Sequence, residues 1–350
     1  MRSIGIMGGG MIADFHAQAI KAMKNVQFAG AYIRNPEQAD SFAAKHQCAT
    51  YTDLEAFLGL DQLDIVTIAT PSGAHLEGIT AAVNAGKHVI CEKPLEITPQ
   101  RVLESQNLAK ERGVLLGGIF NRRFNESVTR LKKAVIAGRF GQIITCEANI
   151  KWFRDQAYYD SGAWRGTWEL DGGGALMNQS IHTIDQLVYF LGMPRRLTAS
   201  IGTLTHENIE VEDTAMALLE FENGAKGVIQ GSTAIWSSEG NPAEIHIYGS
   251  KGSVILADEQ FRLWDFKEPR ESDDFVQKHL MSDPQRALGA NDPGAINFLG
   301  HQSNFENFVA AIEGKEPLRV DASEALKPVA VIHAIYESAR NGGQWVELKA

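Results

Sequence analysis

The stretch Ile4-Gly5-Ile6-Met7-Gly8-Gly9-Gly10-Met11-Ile12-Ala13 decides the fold. A short apolar run leads into three consecutive glycines, and a helix-like run follows at once. The spacing fits G-x-G-x-x-G/A, with Gly8, Gly10 and Ala13 at the three small positions. The first glycine makes the tight turn, the second lets a pyrophosphate approach the backbone, and the third small residue lets helix and strand pack closely. The phosphates sit at the helix N-terminus, where free N–H groups point. The motif alone is weak, but here it follows a strand, opens a helix and begins a series of both, the context a dinucleotide site requires. Gly8, Gly9, Gly10, Met11, Ile12 and Ala13 are therefore candidate cofactor-binding residues.

Outward from this turn, two sequence periods alternate. Apolar runs occur at Ile4–Met7, Val26–Ile33, Ile65–Ala69, Val89–Cys91 and Val114–Phe120, with helix-like stretches at Met11–Met23, Pro36–His46, His75–Ala85 and Pro99–Glu111. Asn35-Pro36 and Thr98-Pro99 place a cap and a first-turn proline at helix starts, and Gly86 and Gly113 follow helix ends. Such alternation predicts βαβ units and a doubly wound parallel sheet over residues 1–121.

Residues 122–350 read differently. Ile144–Lys151 alternates, with Ile144, Cys146, Ala148 and Ile150 on one face, and β-rich runs recur at Leu197–Leu204, Thr214–Phe221, Lys226–Ile235, Ala243–Tyr248, Ser253–Leu256 and Phe261–Phe266. Short turns such as Glu222-Asn223-Gly224 join them, so a large, mostly antiparallel open sheet is expected. Helices at Asn125–Ala137, Gly174–Leu191, Gln302–Ile312 and Ser323–Arg340 are expected to cover one of its faces. Lys267–Gly300, rich in Asp, Pro and Gly, reads as a long loop.

Composition narrows the function. The 33 Lys and Arg against 43 Asp and Glu give a formal net charge of −10, a poor match to nucleic-acid or anionic-membrane binding. Cys48, Cys91 and Cys146 lie far apart, which argues against a disulfide scaffold or cysteine zinc site and for a reducing, cytoplasmic setting. No apolar stretch approaches the roughly 20 residues of a membrane span, and the N-terminus lacks a signal-peptide layout. No H-E-x-x-H or G-x-S-x-G occurs, no metal site is expected, and Val83-Asn84-Ala85-Gly86-Lys87-His88 lacks the upstream glycine and Ser/Thr of a phosphate loop.

Three further places carry candidate chemistry. The second strand ends Ile33-Arg34-Asn35 with no acid to bond a ribose hydroxyl, so Arg34 either stacks on adenine, grips a 2′-phosphate or stays solvated in the loop, with a lean to NADP over NAD. At the next strand ends, Thr70-Pro71 with His75, and Glu92-Lys93-Pro94, border the expected nicotinamide crevice. Lys93 there can bond a substrate hydroxyl and favour its ionisation in the transition state. Finally, Asn178, His182 and Asp185 fall at i, i+4 and i+7 of one predicted helix and stack along one face. His182 is a candidate general base, and Asp185 either orients it or is purely structural. The approach Tyr158, Tyr159, Trp164, Arg165 and Trp168 suits a sugar, whose apolar faces stack on rings, or else packs in a core.

Together the Gly8–Ala13 turn, Glu92-Lys93-Pro94 and the Gly-Gly-Gly…Asn178…His182…Asp185 helix resemble the Gfo/Idh/MocA family of oxidoreductases over nearly the whole chain. The resemblance implies a Rossmann domain (1–121) and a substrate-binding and oligomerisation domain (122–350), with the site where they meet. It implies hydride transfer between NAD(P)(H) and a secondary alcohol of a sugar, glycoside, cyclitol or nucleotide-sugar, and a homodimer or homotetramer formed through the open sheet. Carried over residue by residue, Lys93 and His182 match the catalytic pair. Asn178 stands where many members have aspartate, which removes a carboxylate–histidine dyad at that position. Asn121 and Arg123, after the last Rossmann strand, and Tyr159, Trp164, Arg165 and Asn178 are expected to line the substrate. The alternatives are a reductase of non-sugar carbonyls or dihydrodiols and a sugar-sensing protein without turnover, although a pure sensor has no use for the Lys93–His182 pair.

Overall fold

A run of residues that bury both faces makes the first strand, β1 (Arg2–Met7), and the glycines that follow release the chain into α1 (Met11–Ala22). The computed structural model describes residues 1–282 and 298–348. The alternation continues through β2 (Val26–Tyr32), α2 (Pro36–His46), β3 (Thr50–Tyr51), α3 (Leu54–Leu58), β4 (Ile65–Ile68), α4 (His75–Asn84), β5 (His88–Cys91), α5 (Pro99–Arg112) and β6 (Leu116–Gly118). All six strands pair in parallel in the order β3-β2-β1-β4-β5-β6. The order reverses between β1 and β4, so the loops after these two strands flank the crevice where such sheets bind ligands. Local chemistry sets the helix starts: the Asn35 side chain accepts from Gln38 N–H and that of Thr98 from Arg101 N–H, each with proline at the first helical position. Caps of this kind are each worth about 1 kcal/mol.

The second region contains α6 (Glu126–Ile136), β7 (Ile143–Lys151), α7 (Gln156–Asp160), a π-helical turn (Ala175–Ser180), α8 (Ile181–Leu191), β8 (Arg196–Gly202), β9 (Thr214–Glu220), β10 (Lys226–Ser232), β11 (Glu244–Gly249), β12 (Gly252–Ala257), β13 (Gln260–Phe266), α9 (Glu271–His279) and β14 (Val346–Glu347). Its sheet runs β13-β12-β11-β7-β10-β9-β8-β14, antiparallel at every step except β7–β10. Cys146, Ala148 and Ile150 of β7 are buried as expected, whereas Ile144, at the start of the strand, is 48% exposed. On β9 the alternation leaves Met216 and Leu218 exposed on an open face.

The chain returns to its first part at α10 (Leu299–Ile312) and leaves it again within α11 (Ala322–Arg340). Residues 1–121 with 298–326 form one compact unit, and residues 122–282 with 327–348 another. This corrects the single cut near residue 121 and the placing of helix Gln302–Ile312 on the second sheet. Phe305, Phe308 and Val309 of α10 are buried in one cluster with Ile4, Ile6, Ala13, Ala17 and Ile20, and Gly118 N–H bonds Val320 O. Burying two such phenylalanines contributes roughly 1.5–3 kcal/mol each, enough to draw the segment back. The loop expected at Lys267–Gly300 is also corrected where it is described, because it contains α9. Asp273 accepts from Arg270 N–H, the Arg139 guanidinium and Trp264 Nε1, and these bonds anchor the start of a helix too polar to show a clear apolar stripe. Positions 283–297 of that loop lie outside the described residues.

Candidate active site

The glycine turn has the shape its spacing demands. Gly8 has φ +129°, and a Cβ there would lie 2.4 Å from Ala69 O, at the end of β4. A Cβ on Gly9 would meet Ile33 at 2.9 Å, and Ala13 is fully buried against the sheet. Gly10 differs: a Cβ on it would meet nothing within 4 Å, and as N-cap of α1 it offers no side-chain cap. The first-turn N–H groups of Met11, Ile12 and Ala13 follow directly after this uncrowded, uncapped position, the arrangement that accepts an anion. A dinucleotide pyrophosphate fits this cradle. Gln38, not read from the sequence, closes the turn from α2 through a 2.9 Å bond from its Nε2 to Gly9 O. Arg34 is exposed just beyond β2, with Thr70 and Pro71 half-buried beyond β4.

Lys93 leaves a tightly held segment. Glu92 N–H bonds Ile68 O, Ile119 N–H bonds Cys91 O, and the Lys93–Pro94 peptide is cis. Two residues read as cofactor contacts are engaged internally instead. The buried ring of His75 sets Nδ1 2.9 Å from Pro94 O and Nε2 3.0 Å from Thr70 O, tying the two strand-end loops together. Glu92 is buried, and its Oε1 lies 2.9 Å from His16 Nε2 and 3.2 Å from His301 Nε2. These three groups have metal-ligand chemistry, with ligand atoms within 4.8 Å of one another. In this arrangement both ring nitrogens converge on a single carboxylate oxygen.

In the second unit, the residues before α8 are shaped by two buried acids. Asp171 accepts from Gly166 N–H (3.0 Å) and from Asn178 Nδ2 (2.7 Å). Glu212 accepts from Gly174 N–H (3.0 Å), Leu176 N–H (2.8 Å) and Tyr336 O–H (3.0 Å). Burial pushes the Glu212 carboxyl up to about 7 against these donors. The single α-helix expected over Asn178, His182 and Asp185 is corrected: Asn178 lies in a π-helical turn, Ala175–Ser180, and the α-helix that carries His182 and Asp185 begins only at Ile181. Asn178 reaches an acid after all, Asp171, seven positions upstream. His182 is half-buried in the first turn of α8.

Arg123, expected beside the substrate, is corrected to a buried anchor. Its Nε and Nη2 donate to both Asp185 oxygens at 2.8 and 2.6 Å, and both side chains are at most 2% exposed. Tyr159 is likewise a core residue, its hydroxyl 2.7 Å from Thr233 Oγ1. Its neighbour Tyr158 is the polar aromatic: its hydroxyl accepts from Arg165 Nη1 (2.6 Å) and Gln179 Nε2 (2.7 Å). The Arg165 guanidinium lies over the Tyr158 and Trp164 rings at 4.3 and 4.4 Å. These residues make a half-buried aromatic and cationic surface in one stretch of chain, while Asn121 is half-buried in the first unit.

Known proteins share this layout. Residues 2–119 match the description "Oxidoreductase family, NAD-binding Rossmann fold", and residues 132–348 match "Oxidoreductase family, C-terminal alpha/beta domain". The WlbA dehydrogenase of Bordetella pertussis, solved in complex with NADH and UDP-GlcNAcA, is 30% identical with a TM-score of 0.88 over 99% of both chains. D-glucoside 3-dehydrogenase of Escherichia coli (strain K12) is 25% identical over 97% of this chain and 95% of its own. Inositol 2-dehydrogenase of Rhizobium meliloti (strain 1021) is 23% identical over 95% and 96%. No described helix is long and apolar enough to cross a membrane. With both domain descriptions matched in order and the dinucleotide cradle in place, the chain belongs to the Gfo/Idh/MocA family of NAD-binding oxidoreductases.

Proposed function

We propose that the protein oxidises a secondary alcohol of a sugar-like ring, or reduces the matching ketone, with Lys93 and His182 handling the proton. The observation that carries this reading is the open Gly10 cradle in a chain that has both a lysine at the end of β5 and a histidine at the start of α8. A nicotinamide dinucleotide held by the Gly8–Ala13 turn would supply the hydride chemistry. His182 takes the hydroxyl proton as the C–H bond breaks, and the Lys93 ammonium stabilises the developing negative charge on oxygen. The Tyr158, Trp164 and Arg165 surface favours a ring with apolar faces and hydroxyl or acidic edges, and the sugar-like molecules named with the relatives support the same class. Self-association through the β9 face with Met216 and Leu218 belongs to this reading.

Arg34 alone favours NADP(H) in this chain, while the related WlbA structure holds NADH. Direct titration with both cofactors decides between them, and tighter binding of NAD⁺ overturns the preference. Function is tested by screening polyols, glycosides, nucleotide-sugars and aromatic diols for nicotinamide reduction. Lys93→Ala and His182→Ala should each lower kcat about 10²–10⁴-fold while cofactor still binds. Near wild-type turnover in either variant overturns the assignment.

A further inference from the structure

His16, Glu92 and His301 come from three distant parts of the first unit: α1, the residue after β5, and α10. Burial lowers the pKa of His16, leaving its ring neutral. Burial alone would raise the Glu92 carboxyl, yet hydrogen bonds from His16 and His301 outweigh it and hold the group well below the usual carboxylate range. An ionised carboxylate only accepts, so both rings present Nε2–H to Oε1. The neutral His16 then carries its lone pair on Nδ1, which accepts the Thr67 hydroxyl of β4 at 3.0 Å. The other carboxylate oxygen, Oε2, accepts the backbone N–H of Lys93 at 3.1 Å. His301 lies nearly parallel to the Phe15 ring of α1, with centroids 6.3 Å apart, which further defines its orientation.

From this geometry we infer that His16, Glu92 and His301 are positioning residues for Lys93: two imidazoles fix one buried carboxylate, and that carboxylate fixes the backbone from which the lysine side chain departs. A glutamate side chain has several rotamers, and two donors on one oxygen select a single one. An ionised carboxylate without partners would be costly at this depth, so core packing alone gives no reason to keep one here. The same network gives α10 a functional duty, since its first turn supplies the second donor. This role rests on the reading of Lys93 as the lysine that bonds the reacting alcohol.

The test uses the full chain with His301→Ala, His301→Gln, Glu92→Gln and Lys93→Ala. A glutamine amide retains an N–H close to the Nε2 position, and an alanine does not. His301→Ala should lower kcat about 10–100-fold, the scale of a slightly misplaced catalytic group, with alcohol KM and cofactor Kd little changed. His301→Gln should recover most of that loss, and Glu92→Gln should match or exceed it. An activity-independent readout is the ¹³C resonance of reductively dimethylated Lys93, assigned by its absence in Lys93→Ala. It should shift in His301→Ala and Glu92→Gln and return in His301→Gln. Unchanged kcat and resonance in His301→Ala and Glu92→Gln, with Lys93→Ala inactive, overturn the network and leave the proposed function standing. Normal turnover in Lys93→Ala overturns the function itself and this role with it. If His301→Ala does not fold, the volume-preserving Gln variants decide. If no alcohol is turned over, the Lys93 resonance in Glu92→Gln decides, and an unmoved signal overturns the network.

Discussion

At the turn after β1, a Cβ added to Gly10 would meet nothing within 4 Å, whereas at the turn before the π-helical residues a Cβ on Gly174 would sit 1.9 Å from Glu212 O. Both turns are glycine-rich and both open a helix that carries candidate chemistry. The first keeps its outer side open, with Gln38 of α2 bonding Gly9 O. The second is filled by the protein: Glu212, 38 positions beyond Gly174, accepts the Gly174 and Leu176 N–H groups, while Asp171 at the start of the turn accepts the Gly166 N–H and the Asn178 side chain. A recognisable motif therefore marks the turn whose function is local, and no short motif marks the one that depends on tertiary partners.

The largest effect expected from breaking this contrast lies behind the second turn. Asp185→Ala leaves the Arg123 guanidinium buried without the carboxylate that now takes two of its donors, and should cost about 3–5 kcal/mol in denaturant unfolding. A loss below 1 kcal/mol would mean that the pair contributes nothing to holding α8. Gly174→Ala should cost about 3 kcal/mol, because the obstructing atom is backbone and cannot rotate away. A fully stable Gly174→Ala variant would remove the distinction between the two turns.

Glu212 sharpens the contrast through pH. Its folded pKa is raised to about 7 from 4.5, so the folded protein holds that proton longer than the unfolded chain. The associated stability is present at pH below 4.5 and is lost as pH rises through about 7. Thermal melts should show wild type losing stability relative to Glu212→Gln across that window, by a total on the order of 3 kcal/mol. Parallel curves would show that Glu212 titrates normally. At the first turn the effects are smaller and of another kind. Asn35→Ala removes a helix cap and should cost about 1 kcal/mol. Gly10→Ala should leave the melting temperature unchanged and weaken dinucleotide binding about tenfold or more, by placing a methyl group where the pyrophosphate approaches. Unweakened binding would show that the cradle is not the cofactor site.

Much of the first unit was legible because its determinants are neighbours in sequence. Pro36–His46 was read from a cap, a proline and an apolar stripe, and it is the helix observed. Pro99–Glu111 differs from the observed Pro99–Arg112 by one residue. In the second region the strand periods were equally plain, but the side-chain assignments were not. Leu176, Ile181 and Ile184 satisfy an α-helical stripe well enough to conceal the π turn, which depends on Glu212 accepting the Leu176 N–H from 36 residues away. Tyr158 and Tyr159 are adjacent aromatics, and only packing places one hydroxyl against Thr233 in the core and the other under Arg165. Arg123 and Glu92 carry charges that the sequence assigns to solvent or ligand by default, since an unpaired buried charge is prohibitive. Their partners, Asp185, His16 and His301, lie 62, 76 and 209 positions away.

The sequence by itself therefore determined the alternation of strands and helices in the first unit, the doubly wound sheet and the glycine turn of the dinucleotide-binding fold, and it offered Lys93 and His182 as candidates. Each depends on spacing within a few residues, where backbone geometry and hydrophobic period act directly. Tertiary structure alone decided that residues 298–326 return to the first unit, that a π turn precedes His182, and which charged groups become anchors. Those outcomes depend on which distant side chains meet once apolar surface is buried, and local patterns carry no record of such partners.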